Sequence, residues 1–427
     1  MVPGIDWKYP GWTKKYELVC ENETLRENYL LMTELLPAFI GLFASVQSDT
    51  AGRVWTFKFW TIGIMVLSFA AAWIEVAWVQ VVALSLFIGE EAILVTLFTY
   101  IINESCATSS PLRSKAIGFY FAIFASGGVL LSCLSWVVQD PQWLYFIVVC
   151  LSIAVSIPVQ WTCYEPPKQL HKRGKVVGLL KNLEAIALRN DKGIEITDIQ
   201  QKTGIIDVPL DGKMQISTLL TFKEKIQLIC TNLRVVFCTN ICVRMVGLGL
   251  VAGSVYCCFF GVTYNAGKIG LPSLQLNVIL LASIEAICYV LSIFVIAKTR
   301  RKCGTIICLL IILFGSCSLM TVHALWGEQD WNKYIETAIT VVLIKGGLSM
   351  EYVIIYTYAS ELFPSTVRGT AVGFALTLAK VLAAFTSGPL IAFAETITSS
   401  MVGPSITVVV GLLAILVLPE TLNQKLE

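Results

Sequence analysis

Long apolar runs separated by short polar breaks fill most of the chain. They cover roughly residues 29–48, 55–77, 79–103, 116–139, 142–164, 235–263, 272–297, 304–326, 336–360, 369–393 and 399–419, eleven in all. A helix needs about 20 apolar residues to cross the hydrocarbon core, and every run is long enough. Backbone amides and carbonyls find no water in lipid, so each run must satisfy them internally, which a helix does. The pattern predicts an all-α, polytopic membrane protein of about eleven spans. One polar stretch, 165–234, divides the spans into an N-terminal bundle (29–164) and a six-helix bundle (235–419), flanked by a polar segment (1–28) and a tail (420–427). Within that linker, Val176 to Leu188 has the apolar spacing of an amphipathic helix lying on the membrane surface.

Basic residues set the orientation, because Lys and Arg concentrate in cytoplasmic loops. Arg53 and Lys58, Arg113 and Lys115, the linker, Lys298 to Lys302 and Arg368 fall on one side. The alternate breaks hold Glu75, Asp140, Lys268, Lys333 between Glu328 and Glu336, and Glu395. The first set is expected to face the cytoplasm or an organelle matrix, which puts residues 1–28 on the opposite side. An N-glycosylation pattern, Asn22-Glu23-Thr24, falls there.

Composition narrows the functions. Hydrophobic residues make up 56% and charged residues 14%, with a mean hydropathy of +0.74, outside the range of a soluble globule. A formal net charge of +2 excludes the basic face that nucleic acid requires. Most of the 14 cysteines lie inside apolar runs, where they act as small hydrophobes. With two histidines and no CxxC pair, no metal site is expected. No phosphate-cradling loop, haem ligand set or nucleophile–base pair stands out, so neither a cofactor nor an enzymatic activity is expected.

A phrase occurs twice. Leu112-Arg113-Ser114-Lys115-Ala116-Ile117-Gly118-Phe119 and Val367-Arg368-Gly369-Thr370-Ala371-Val372-Gly373-Phe374 each open a span, and each follows an acid, Glu104 or Glu361. Many transporters are built from such internal repeats. Four spans of the second bundle precede the phrase but only three of the first, so the first bundle reads as lacking its opening helix.

Ser48-Asp49-Thr50-Ala51-Gly52-Arg53 supplies an acid and an arginine at a turn, able to tie helix ends by charge-assisted bonds. It resembles the D-x-x-G-R loop signature of the major facilitator superfamily. Tyr16-Glu17-Leu18-Val19-Cys20, Ser283-Ile284-Glu285, Tyr356-Thr357 through Glu361-Leu362-Phe363-Pro364 to Arg368, and Leu418-Pro419-Glu420-Thr421-Leu422 resemble phrases of its organic cation and anion transporters, solute carrier family 22. Two phrases depart from that branch. Glu165-Pro166-Pro167 keeps an acid and proline but loses the arginine, and Lys298 to Gly304 has lost its acid. The resemblance implies two bundles rocking about a midplane site, a plasma-membrane location with an organellar membrane left open, and architectural roles for Asp49, Gly52, Arg53, Glu104, Arg113, Glu165, Glu361, Pro364 and Arg368.

Ionisable groups within spans are costly and mark either function or structural pairing. Lys380, Glu285 and Arg244, with Tyr256, Tyr289 and Phe374, are the substrate-site candidates; the other readings are helix-end placement, plain packing, and pairs such as Glu34 with Lys345 or Lys380 with Glu285 or Glu351. Lys380 lies twelve residues after Arg368, where the resemblance places an acid in cation carriers and an arginine in anion carriers. Its counterpart in the first repeat is Ala125. The expectation is a carrier of small organic ions, with anions favoured, embedded in a lipid bilayer. The alternative is a transport-inactive relative serving as a subunit of a larger membrane assembly, with other chains filling the place of the missing helix.

Overall fold

The computed structural model describes residues 23–74, 79, 82–83, 85–87, 97, 100–102, 110–172, 176–189, 222–296, 299–327, 330–364, 366–393 and 397–421. Most of the third apolar run, Glu104, the phrase at 16–20, Asn22, the linker from 190 to 221 and residues 422–427 lie outside them, as does the side chain of Arg113.

The described residues form helices α1 (Glu23–Ala51), α2 (Arg53–Ala71), α3 (Ser110–Val137), α4 (Pro141–Thr162), α5 (Pro167–Lys172), α6 (Val176–Arg189), α7 (Phe222–Phe237), α8 (Ile241–Tyr264), α9 (Leu274–Ile296), α10 (Arg301–Trp326) and α11 (Asp330–Ala338). A π-helical turn (Ile339–Lys345) joins α11 to α12 (Gly346–Leu362), and α13 (Arg368–Phe393) and α14 (Ile397–Val417) follow. Among the described residues, eight helices are long and apolar enough to cross a membrane: α2, α3, α4, α8, α9, α10, the continuous α11–α12 rod and α13. The chain is an integral membrane protein. Phe43, Phe119, Phe294, Phe314 and Leu413 are exposed on the outside of the bundle, where lipid replaces water and apolar exposure carries no penalty.

α8 is the most enclosed of the long helices; it packs against α13 and α14. Small residues permit that approach. A Cβ on Gly249 would lie 2.8 Å from Leu378 Cδ2 and 3.0 Å from the Ala375 carbonyl, and one on Gly253 would lie 3.1 Å from Leu382. This small-xxx-small face is spent on α13 within the chain.

The internal repeat has a structural counterpart. α13 packs on α1, and α3 packs on α9, so each repeat phrase opens a helix that crosses to the other half of the molecule. The glycine the two phrases share, Gly118 or Gly373, sits at that crossing. A Cβ on Gly373 would come within 2.6 Å of Ser45 Cβ, and one on Gly118 within 2.5 Å of Ile293 Cγ1. The repeat preserves two of the contacts through which the halves meet.

Candidate functional site

Two sets of polar residues stand out: a network at the helix ends on the linker side, and a cluster inside the bundle.

The network begins at the α1–α2 turn. Gly52 adopts φ +128°, a conformation L side chains rarely take, and its Cα faces the Glu165 carboxylate. That geometry lets Glu165 accept from the amides of Arg53 (2.5 Å) and Val54 (3.0 Å), the open donors at the start of α2. The Arg53 guanidinium, 1% exposed, lies 2.8 Å from Asp49 and bonds Ser48 Oγ. Asp49 also reaches across to the other half. It accepts from the amides of Gly369 (3.1 Å) and Thr370 (2.7 Å) and from the Thr370 hydroxyl, and so caps α13. Gln169 completes the corner, donating to the Ser48 carbonyl.

The second half repeats part of this. Glu420 accepts from the amides of Arg301 (2.9 Å) and Lys302 (3.2 Å) at the start of α10, as Glu165 does at α2. Arg301 pairs with Glu361 at 3.2 Å, and Thr421 donates to the same carboxylate. Four residues before Arg301 stands Ala297 where the first half has Asp49, so the loop offers no acid there and Glu361 supplies it. Pro364 follows Phe363, whose carbonyl accepts from Arg368 Nε at 3.2 Å. The eroded second loop keeps a charge network by drawing its acids from other segments.

The inner cluster is aromatic. Tyr256, Phe260 and Tyr264 recur every four residues along α8 and stack, with centroids 6.0 and 5.5 Å apart. Tyr256 meets Tyr352 edge-on and shares a 2.7 Å hydrogen bond with Tyr356, both on α12. Phe121 of α3 touches Tyr289, Tyr352 and Tyr356, carrying the cluster into the first half. Such ring pairs add about 0.5–1.5 kcal/mol each beyond area burial.

Four charged groups border it. Glu285 of α9 holds Lys345 at 3.0 Å and accepts from Tyr289 Oη at 2.6 Å, while the Lys345 ammonium lies 3.6 Å from the Phe259 centroid. With Lys345 2% exposed and Glu285 8%, this is a buried, satisfied pair. Glu34 of α1 accepts from Tyr264 Oη at 2.5 Å and lies in the field of Lys380. Lys380 is half-buried, 5.9 Å from the Tyr256 centroid, and makes no ion pair within 4.0 Å among the described residues.

Of the substrate-site candidates, Lys380, Glu285, Tyr256 and Tyr289 therefore gather around one cluster. Arg244 does not join them; it is exposed in the first turn of α8. Phe374 packs against Phe237 of α7, 5.0 Å away. Phe121, Phe259 and Tyr352 were not among the sequence candidates. The four-residue spacing of Tyr352 and Tyr356 was the available signal.

A bundle in which two repeated crossings join the halves around a buried polar and aromatic cluster defines a transporter-like membrane protein with alternating-access architecture. The chain belongs to the Major Facilitator Superfamily, which it matches over residues 29–388. Membership is consistent with a non-enzymatic protein. At low identity it is associated with the solute carrier family 22 branch. It is 24% identical over 330 residues to an organic cation transporter-like protein of Drosophila melanogaster, covering 74% of this chain and 54% of that protein. It is 25% identical over 318 residues to solute carrier family 22 member 6 of Bos taurus, covering 71% and 52%. The chain thus spans about half the length of these curated relatives. Among solved structures it is similar to the proton:xylose symporter XylE bound to 6-bromo-6-deoxy-D-glucose, with a TM-score of 0.68 at 18% identity, covering 93% of this chain and 88% of that one. It is also similar to the human organic anion transporter MFSD10, with a TM-score of 0.59 at 13% identity and coverage of 95% and 87%.

Proposed function

We propose that this protein binds a small organic anion between α1, α8 and α13 and carries it across the membrane by alternating access. Lys380 would pair with the anionic group, Tyr256 and Tyr264 would pack against its apolar body, and Glu34 would serve as the counter-charge that keeps the empty site neutral. The observation that carries this reading is Lys380 itself: an ammonium on a buried interface, facing an aromatic ring and a distant carboxylate, without an ion pair of its own among the described residues. A lone charge there favours a ligand of opposite sign. Because Lys380 and Glu34 stand on opposite sides of the α1–α13 contact, a ligand bridging them shifts the balance between bundle arrangements. The curated relatives, among them an organic cation transporter-like protein, support the wider class of organic ions, and the choice of an anion rests on Lys380. Glu285, engaged with Lys345, is assigned to structure.

Binding to the purified protein tests the site. Organic anions are expected to raise the melting temperature of the wild type and to lose that effect in Lys380→Ala; stabilisation by organic cations alone, or by anions equally in both proteins, would refute it.

We further infer eleven spans in this chain, with α1, α14 and the run at 79–103 added to the eight, and with the first bundle one helix short of the second. The repeat count supports this. The alternative, a subunit of a larger membrane assembly, rests on the same five-against-six count; a stoichiometric membrane partner in a native pull-down, together with no anion binding, would favour it.

A further inference from the structure

The linker-side end of the second half carries a cation that the helix-end network does not engage. Arg301 pairs with Glu361 at 3.2 Å, and the Glu420 carboxylate accepts from the amides of Arg301 and Lys302. Lys302 Nζ donates to the carbonyls of Leu416 (2.8 Å) and Leu418 (3.0 Å). Arg300, just before them, is exposed and makes no ion pair within 4.0 Å among the described residues.

A second observation lies beside it. A groove of about 520 Å³ runs between α9, α10 and α12, with Arg300 at its linker-side end. Its walls are apolar and open to the outside of the bundle: Val295 of α9 and Ile307 and Ile311 of α10 are exposed, and the buried Ile354 of α12 lies at its floor. Gly304 leaves that floor clear, since a Cβ there would lie 3.2 Å from Ile354 Cδ1. From Arg301 to Ile311 the axis of α10 rises about 15 Å, the depth of one leaflet of a hydrocarbon core about 30 Å thick. A cation at the interface above an apolar channel of that depth matches the polarity of a phospholipid, headgroup above chain.

We propose that this groove seats one acyl chain of an anionic phospholipid from the linker-side leaflet, with the Arg300 guanidinium on its headgroup phosphate. Charge complementarity selects this occupant. An apolar helix of a partner or of a second copy would cover Arg300 without supplying a counter-ion, whereas a headgroup supplies one and leaves the guanidinium in contact with water. A zwitterionic headgroup brings an ammonium to the same cation, so a lipid of net negative charge is favoured by about fivefold, the effect of one basic residue near the surface. The site lies on the outer face of the second half and stands independently of the organic-ion reading at Lys380.

Native mass spectrometry of the full chain, released from nanodiscs of equal phosphatidylglycerol and phosphatidylcholine, tests the site. The wild type is expected to retain one phosphatidylglycerol in preference to phosphatidylcholine by that factor. Arg300→Gln, at an exposed side chain, is expected to keep the melting temperature and to bring the two lipids to parity. Ile307→Trp, which fills the groove from its exposed wall, is expected to lose both; should it fail to fold, Val295→Trp fills the groove from α9. A wild type that retains no lipid or both lipids equally would overturn the proposal, as would a preference that survives Arg300→Gln. A lipid-free dimer broken by Ile307→Trp would equally overturn it, by assigning the groove to a second copy.

Discussion

Asp49 serves two partners at once, and its removal should show it. Asp49→Ala strips the cap from α13 and takes the 2.8 Å ion pair from the buried Arg53 guanidinium, whereas Arg53→Ala leaves Asp49 still bonded to Gly369 and Thr370. Asp49→Ala is therefore expected to destabilise more than Arg53→Ala, and the double mutant less than the sum, with a coupling of about 1–3 kcal/mol in thermal or denaturant unfolding. Additive losses would mean the two residues act separately. At Glu285 the same physics gives a different signature. Glu285→Gln leaves the Lys345 ammonium buried without its counter-ion, at a cost of about 3–5 kcal/mol, and adding Lys345→Met should recover most of it. A loss that Lys345→Met fails to recover would contradict the pairing. The sequence placed these charges at the right depth but not their rotation about the helix axis. Lys345 read as a partner for Glu34; the structure pairs it with Glu285 and leaves Glu34 to Tyr264 and the field of Lys380.

At the scale of elements, the helices follow from run length and the crossings from glycine. Gly373 and Gly118 have no room for a side chain, because Ser45 and Ile293 occupy it. Gly373→Leu should push α13 from α1, lower stability and weaken any ligand effect together, whereas Gly127→Leu on α3, with open space around it, should leave both unchanged. Equal effects of the two substitutions on the melting temperature would count against the crossing. The repeat phrase was legible because these contacts force the same small residues into both halves. The π-helical turn at Ile339–Lys345 was not: its apolar residues have the composition of an ordinary helix, and only hydrogen-bond geometry distinguishes them. The acid missing from the loop at 298–304 read as erosion. It is offset from outside that loop, by Glu361 at the end of α12 and Glu420 after α14, which one loop phrase cannot reveal.

At the scale of the whole molecule, charge bias in the short loops predicts that residues 1–28 lie opposite the linker. Protease added to sealed vesicles is expected to cut the two segments from opposite faces, and cleavage of both from one face would reject the topology. The all-α, polytopic character was readable from hydrophobic run length alone, since lipid leaves few alternatives to a helical bundle, whereas eight of the expected eleven spans stand among the described residues. The candidate site was readable only in part, because ring contacts among Phe121, Tyr352 and Tyr356 join helices far apart in sequence. Selection of an organic anion by Lys380 is decided by uptake of labelled organic anions and cations into proteoliposomes. Saturable anion uptake is expected, falling at least tenfold in Lys380→Ala and partly kept in Lys380→Arg, a change of about 1.4 kcal/mol or more. Uptake confined to cations, or anion uptake untouched by Lys380→Ala, would contradict it.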